Sequence, residues 1–425
     1  MLIKYLSELS QREFKDLLKR SDIGDLKDAV LPIIEDVRAR GDDAVREYTR
    51  KFDSAELIEI SVTPEEITNA LKAIDRLLFE HLQKAASNIR EFHEKQKTSD
   101  WYTEISDGIT LGQKITPLKR IGAYVPGGRA AYPSTALMTI IPARVAGVGE
   151  VIVCTPPQPD KSIHPATLAA CQIAGVDQVF KIGGVQAIAA MAHGTNTIPR
   201  VDKIVGPGNA YVTTAKTMVR EECEIDFPAG PSEVLIIADE TAKPRNVAWD
   251  MLAQCEHDPN AIAILTTTSP QLAAKVEEVI NSEIKDCKRR KIITESLEYS
   301  AILKTNTLDE CIRFSNNFAP EHLQIITQQP EEVLEKIEHA GSIFIGNDTP
   351  AAVGDYASGT NHVLPTAGYA RTYSGLNTDH FIKKTTIQII NKKGLTTLKD
   401  TITTLAEAEG LYAHAKAIRA RFEEG

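Results

Sequence analysis

No apolar run in this chain of 425 residues approaches the length of a membrane-spanning helix, no two cysteines are spaced C-x-x-C, and no G-x-G-x-x-G is present. The first absence argues against a protein that spans a bilayer. The six cysteines, Cys154, Cys171, Cys223, Cys255, Cys287 and Cys311, are scattered without framework spacing, so they read as reduced thiols of a cytoplasmic protein. The third absence removes the usual dinucleotide fingerprint. Clustered basic residues are lacking too. With 48 Lys and Arg dispersed among 58 Asp and Glu, a net charge of -10 argues against a nucleic-acid or anionic-membrane partner. At the N-terminus, Lys4 and Glu8 interrupt the apolar residues before they reach signal-peptide length, so a soluble, unprocessed chain is expected.

What is present is an ordinary globular composition, 42% hydrophobic and 25% charged, in a chain longer than one core usually organises. The first hundred residues read as helices. Pro64 opens a long one in which Ile67, Leu71, Ile74, Leu78 and Leu82 recur at helical spacing. From Pro117 onward, short β-branched runs alternate with alanine-rich helical patterns: Val151-Ile152-Val153-Cys154, Gln178-Val179-Phe180-Lys181-Ile182, Lys203-Ile204-Val205 and Val234-Leu235-Ile236-Ile237. Intervening segments of about twenty-five residues suit β-α-β crossovers and hence a parallel sheet. A second series of similar build runs through Ile262-Ala263-Ile264-Leu265, Ala301-Ile302-Leu303, Leu323-Gln324-Ile325-Ile326 and Ser342-Ile343-Phe344-Ile345, which makes an internal duplication plausible without any residue-level repeat. In the tail, Thr385-Thr386-Ile387-Gln388-Ile389-Ile390 is an expected strand, and a capping box at Thr404-Leu405-Ala406-Glu407 announces a terminal helix.

Four polar islands stand out in the second half. Gln254 and His257 lie three apart at the end of a helical run that Asp258-Pro259 should stop, a spacing that can supply two metal ligands. Read alone, the pair is better explained by a capping histidine and a solvated glutamine. Glu321-His322 enters an apolar strand, where neighbours normally face opposite ways; both reach one cavity only if the backbone is irregular there, and a surface turn is the bland alternative. Residues 354–362, with Asp355 and His362, read as a long functional loop or a hydrophilic connection. In the last helix Leu411, Ala415, Ile418 and Phe422 form an expected buried stripe that includes His414, as a ligand or as a satisfied core histidine. Together the islands hold imidazoles, carboxylates and an amide, the donors needed to hold a hard-to-borderline metal and to move protons beside it.

The ordered motifs resemble the histidinol dehydrogenases over nearly the whole chain. They are Ile121-Gly122-Ala123-Tyr124-Val125-Pro126-Gly127-Gly128, Gly206-Pro207-Gly208-Asn209-Ala210-Tyr211-Val212, Ala229-Gly230-Pro231-Ser232-Glu233, the Gln254 to His257 island, Ala319-Pro320-Glu321-His322-Leu323, the Asp355 to His362 segment followed by Val363-Leu364-Pro365-Thr366, and Ala408-Glu409-Gly410-Leu411 leading to His414. The resemblance implies a zinc- and NAD-dependent, four-electron oxidation of L-histidinol to L-histidine through the aldehyde, the last step of histidine biosynthesis. It implies that Gln254, His257, Asp355 and His414 hold the zinc and share in substrate binding. Glu321 and His322 would be the acid-base pair, with Ser232, His362 and Glu409 against substrate. Tyr124, Gln186 and Asn209 would line the NAD site. It also implies a homodimer whose tail exchanges, so that His414 and Glu409 serve shared active sites. Cys255 departs from the family pattern, where alanine is expected; on the helix it faces away from Gln254.

The chemistry asks for such groups. A base near neutral pKa must take the hydroxyl proton as hydride leaves, a task suited to His322, and a water must be activated for the aldehyde step, for which Glu321 is the candidate. For NAD, the residues alone offer only strand-to-helix turns at Gly183-Gly184 and at Gly206-Pro207-Gly208-Asn209, able to present N–H groups to a pyrophosphate. Cys154, ending an apolar run with no neighbouring histidine, reads as an inert thiol rather than a nucleophile. A zinc hydrolase, or a module that binds without turnover, fits the donors but not the ordered motifs. The expected fold is α/β: two similar, incomplete Rossmann-like parallel-sheet domains, 117–238 on the NAD side and 239–374 with the zinc and acid-base residues. A helical segment, 1–116, is expected to pack on the second of them, and 375–425 forms a small C-terminal tail domain.

Overall fold

The computed structural model describes residues 1–18, 26–127 and 131–423. Gly128, which closes the first motif above, lies outside them. The chain divides into two units, residues 1–96 with 118–381, and residues 97–117 with 382–425.

The larger unit holds two parallel sheets. In the first, the strands lie in the order Gln178–Lys181, Glu150–Thr155, Arg120–Tyr124, Lys203–Val205, Glu224–Ile225. In the second the order is Leu2–Tyr5, Ala301–Lys304, Ile262–Thr267, Glu233–Ala238, His322–Ile326, Ser342–Ile345. Leaving aside the added Leu2–Tyr5 edge, each sheet has sequential strands in the order 3-2-1-4-5, the Rossmann order without its sixth strand. The duplication considered from the strand series therefore exists as a repeated topology. Helices cover both faces, so strands such as Glu150–Thr155 and Glu233–Ala238 are buried almost throughout and read as unbroken apolar runs. Their ends follow local rules. Pro133, Pro165, Pro244 and Pro270 occupy the first helical turn, and Gly147 and Gly175 close helices in the left-handed conformation.

Four expectations about organisation are corrected. Glu233–Ala238, assigned above to the first domain, is the central strand of the second sheet. The helix opened by Pro64 is two helices, Pro64–Ala73 and Arg76–Glu94, because Ile74 turns extended and the Asp75 carboxylate accepts the Leu78 N–H to begin anew. The N-terminal helices Lys27–Arg40 and Asp42–Asp53 pack on the first sheet, not the second: Val30, Ile34, Val37 and Val45 share a core with Ile152, Phe180 and Ile188. Among the described residues, the strand Leu2–Tyr5, Leu6, Leu9 and the Gln11–Leu18 helix, through Phe14 and Leu17, join the second sheet. Finally, residues 97–117 leave the N-terminal region to join the tail, which begins at 382 rather than 375.

The smaller unit is an antiparallel sheet in the order Ile382–Ile390, Ile109–Pro117, Trp101–Ser106, followed by helices Lys392–Ala408 and Tyr412–Arg419. Thr404 lies inside the first of these helices rather than capping the second. The actual cap is Asn391, whose side chain accepts the Gly394 N–H. Nor does the terminal helix bury the expected stripe: Ala415 is enclosed, but Leu411 and His414 are exposed in the single chain.

Candidate functional site

Glu321 and His322, the expected acid-base pair, sit at the amino edge of the second sheet. Helix Leu308–Phe318 ends on Ala319, a non-glycine residue at φ 49°, and Pro320 follows. This kink is the irregularity that lets consecutive side chains converge instead of diverging. Glu321 accepts the Glu233 N–H at 2.8 Å through Oε2, and the same oxygen lies 3.4 Å from His322 Nδ1. His322 Nδ1 donates to the Glu233 carbonyl at 3.0 Å. On its other side, Nε2 stands 3.4 Å from Asp355 Oδ1, an ion-pair contact without well-formed hydrogen-bond geometry. Glu321 and His322 are each 4% exposed. Burial alone would depress the imidazolium, but the Glu321 charge and the Asp355 carboxylate outweigh it and hold the His322 pKa well above its ordinary value. Asp355 moves the complementary way: burial would raise it, and the His322 contact, with a smaller contribution from His257, brings it below the usual carboxylate range.

Asp355 is not in a loop, as expected above, but in the helix Ala351–Tyr356; irregular backbone begins only after it. Gly354 makes this possible, since a Cβ there would meet the Phe344 ring at 2.8 Å. That ring lies 5.8 Å from the His322 ring, centroid to centroid. His362 Nδ1 donates to the Asp355 carbonyl at 2.7 Å, and its Nε2 is 3.2 Å from Thr135 Oγ1. Burial lowers the His362 pKa, so this ring is neutral beside a charged one. Ser232 immediately precedes the Glu233–Ala238 strand at the same edge, and its carbonyl accepts the Ile262 N–H.

Gln254 ends the helix Pro244–Cys255 and His257 follows one turn on, its N–H bonded to the Gln254 carbonyl. The Gln254 side chain is 4% exposed, yet its Nε2 has no hydrogen-bond partner, while His257 is exposed. An orphaned buried amide beside an accessible imidazole and a carboxylate matches the donor chemistry of zinc. Among the described residues, however, no three His, Cys, Asp or Glu side chains cluster to hold a metal. The larger unit contributes two of those types, His257 and Asp355, plus the amide. His414 and Glu409 belong to the smaller unit, around the Gly410 turn between its helices. Cys255 is fully buried with its thiol 3.6 Å from Ser300 Oγ, so it packs the core as expected.

The three expected nicotinamide-nucleotide residues lie at the carboxyl edge of the first sheet, where strand order reverses beside Arg120–Tyr124 and where such folds bind ligands. Tyr124 ends that strand; its hydroxyl accepts the Gly184 N–H at 3.1 Å, and burial pushes its pKa up to about 12. Gln186, 1% exposed on the helix Gly184–His193, has neither amide atom paired. Asn209 caps the helix Ala210–Met218 by accepting the Val212 N–H. A cleft of about 480 Å³ opens at this edge, lined by Asp53, Pro126, Gly127, Thr155 and Pro156 among others. The Cys154 thiol is wholly enclosed behind it.

Two residues of the site were not anticipated. Glu233 was quoted within a motif but given no role, and it acts here chiefly through its backbone, which leaves no side-chain signal. Thr135 reaches His362 from the helix Pro133–Ala146 of the other sheet, a contact no local spacing announces.

Comparison with known proteins finds relatives over nearly the whole chain. The histidinol dehydrogenase family model matches residues 18–422. The chain is 59% identical over 424 residues to a histidinol dehydrogenase of Methanosarcina barkeri, covering 99% of this chain and 98% of that protein. It is 47% identical over 398 residues to one from Geobacillus kaustophilus, covering 93% and 94%. The crystal structure of histidinol dehydrogenase from Elizabethkingia anophelis superposes with a TM-score of 0.95 at 42% identity, covering 99% of this chain and 98% of that one.

Proposed function

The chain belongs to the histidinol dehydrogenase family, NAD-dependent oxidoreductases acting on an alcohol and an aldehyde, and from that premise we propose that it oxidises L-histidinol to L-histidine, the last step of histidine biosynthesis. The observation that carries this reading is the buried Glu321–His322–Asp355 constellation at the amino edge of the second sheet. No helix among the described residues is long and apolar enough to cross a membrane, in keeping with a cytoplasmic catalyst.

Gln254, His257, Asp355 and His414 would hold the zinc, and Tyr124, Gln186 and Asn209 would hold NAD. When bound, the ion supplies a fixed anchor for the imidazole and amine of substrate, and the nicotinamide accepts hydride. The rest falls to the chain. His322 takes the hydroxyl proton in each oxidation. It is held protonated by two carboxylates; Asp355 engaged by a cation would no longer stabilise that proton, leaving His322 the better base. Glu321, fixed by the Glu233 N–H, takes a proton from the water that adds to the aldehyde carbonyl. The carbonyl oxygen takes the proton that His322 holds from the first oxidation, and the resulting gem-diol gives up its one remaining carbon-bound hydrogen as hydride and a hydroxyl proton to His322, which leaves the acid that ionises to the carboxylate. Ser232, His362 and Glu409 orient the amino alcohol. The smaller unit leaves the apolar side chains Trp101, Tyr102, Ile105, Ile389, Leu405 and Tyr412 exposed in the single chain, which association into a homodimer with shared active sites would cover.

The test is stoichiometric. Two NADH should form for each histidinol consumed, chelation should stop turnover, and zinc should restore it with the circular dichroism unchanged throughout. Substrate loss without NADH would replace the reading with a hydrolase, and flat absorbance with intact substrate would leave a binding module.

A further inference from the structure

The turn that carries Asn209 is held from beneath by a buried ion pair. Lys216 and Asp226 are 4% and 5% exposed, with Nζ 2.5 Å from Oδ1. Both close on one residue. Lys216 Nζ donates to the Gly206 carbonyl at 2.9 Å, and Asp226 Oδ2 accepts the Gly206 N–H at 2.8 Å. Asp226 Oδ1 also accepts the Phe227 N–H at 2.7 Å. Gly206 itself sits at φ +114°, so tight against the neighbouring strand that a Cβ would fall 2.2 Å from the Tyr124 carbonyl oxygen. The turn, the helix that contains Lys216 and the chain after the Glu224–Ile225 strand are thus tied at one point.

Stability alone is a poor explanation for this pair. Two ions removed from water gain little over well-packed apolar side chains of the same volume. What apolar residues could not do is grip the N–H and C=O of a single left-handed residue at once. That grip sets how far the Gly206-Pro207-Gly208-Asn209 turn stands from Tyr124.

We propose that Lys216 and Asp226 are positioning residues for the nicotinamide dinucleotide: by clamping Gly206 they fix Asn209 relative to Tyr124 and so govern cofactor affinity without contacting the cofactor. The proposal rests on the assignment of NAD to this sheet edge.

The experiment is steady-state kinetics on full-length Lys216→Met and Asp226→Asn with histidinol and NAD, paired with the thermal shift that NAD induces. Loss of one charge-assisted hydrogen bond should raise the KM for NAD about tenfold or more. The NAD-induced shift should shrink, while kcat at saturating NAD and the KM for histidinol stay within about twofold. Asp226→Asn keeps the shape and one acceptor oxygen, so its effect should be the smaller. An unchanged KM for NAD, or equal losses for both substrates, overturns the proposal. Failure of both variants to fold assigns the pair to stability and overturns it too. A wild-type protein that makes no NADH removes the cofactor assignment itself, whereas wild-type turnover with unaltered variants removes only the clamp.

Discussion

Three oxygens surround the ring of His322: the Glu233 carbonyl, Glu321 Oε2 and Asp355 Oδ1. Because the first fixes Nδ1 as a donor, only Nε2 can exchange a proton with a ligand. His322→Asn should therefore depress alcohol and aldehyde oxidation alike, by about 10²–10⁴-fold. Glu321→Gln should cost the aldehyde step far more, measured by supplying the aldehyde directly; equal losses in the two half-reactions would defeat the division of labour. Asp53 offers a separate pH effect. It closes the helix Asp42–Asp53, where the helix dipole disfavours an acid, one oxygen is buried without a partner, and burial raises its pKa to about 6. The folded state then binds more protons than the unfolded state between the ordinary value near 4 and about 6, so stability falls as pH rises through that window. Asp53→Asn should raise stability at pH 7 by about 1–2 kcal/mol, allowing for partial exposure. The gain should vanish near pH 4 when thermal midpoints are compared, and a gain that persisted there would refute the titration of Asp53 as its source.

At the scale of elements, the site depends on how closely the Ser342–Ile345 strand approaches the Glu321 backbone. Gly341 donates to the Pro320 carbonyl, and a Cβ at this position would lie 2.6 Å from the Glu321 carbonyl oxygen. Gly341→Ala must push Glu321 and His322 off their positions. We expect turnover to fall by about 10²-fold, the usual cost of a misplacement near 1 Å, with the fold retained by circular dichroism. Full activity would show that the strand yields instead. Strands were the most legible elements, because a parallel sheet covered on both faces leaves continuous apolar runs such as Val234-Leu235-Ile236-Ile237. Helix ends were less so. The break at Ile74 follows from one backbone torsion and the Asp75 cap, which the apolar spacing of Ile67 through Leu82 does not reveal, and Asp355 is helical despite its polar, glycine-rich surroundings. Which sheet an element joins was hidden as well: Glu233–Ala238 reads the same in either, and only its pairing with Ile262–Thr267 and His322–Ile326 decides.

For the molecule as a whole, the two sheets share one strand order, yet the residues proposed for the cofactor and those proposed for proton transfer lie at opposite edges of their sheets. At the carboxyl edge of the second sheet Asp239 accepts the N–H groups of Thr241 and Gln328 and so ties together the chain leaving two neighbouring strands. The proposed acid-base pair, Glu321 and His322, instead occupies the amino edge. Motif order in the sequence carried the family and the identity of these side chains, whereas this inversion is a property of chain path and left no mark on residue spacing. The tail was the least legible part, since the stripe of Leu411 and Ile418 reads as core but is largely uncovered within one chain. If each tail completes its partner's centre, mixing Glu321→Gln with His414→Ala, neither able to carry histidinol through to histidine alone, should recover roughly a quarter of wild-type histidine formation after subunit exchange. No recovery in a demonstrated mixed dimer would mean each subunit completes its own centre.

The pairing of Leu2–Tyr5 with Ala301–Lys304 has a consequence for biosynthesis. Leu2–Tyr5 precedes its partner strand in the chain and must remain unmated while the first sheet and the strands Glu233–Ala238 and Ile262–Thr267 are translated, an ordering that delays closure and favours slow maturation. Until it docks, the Ala301–Lys304 backbone is an open ladder on a nascent protein, and that is where a holdase would be needed most.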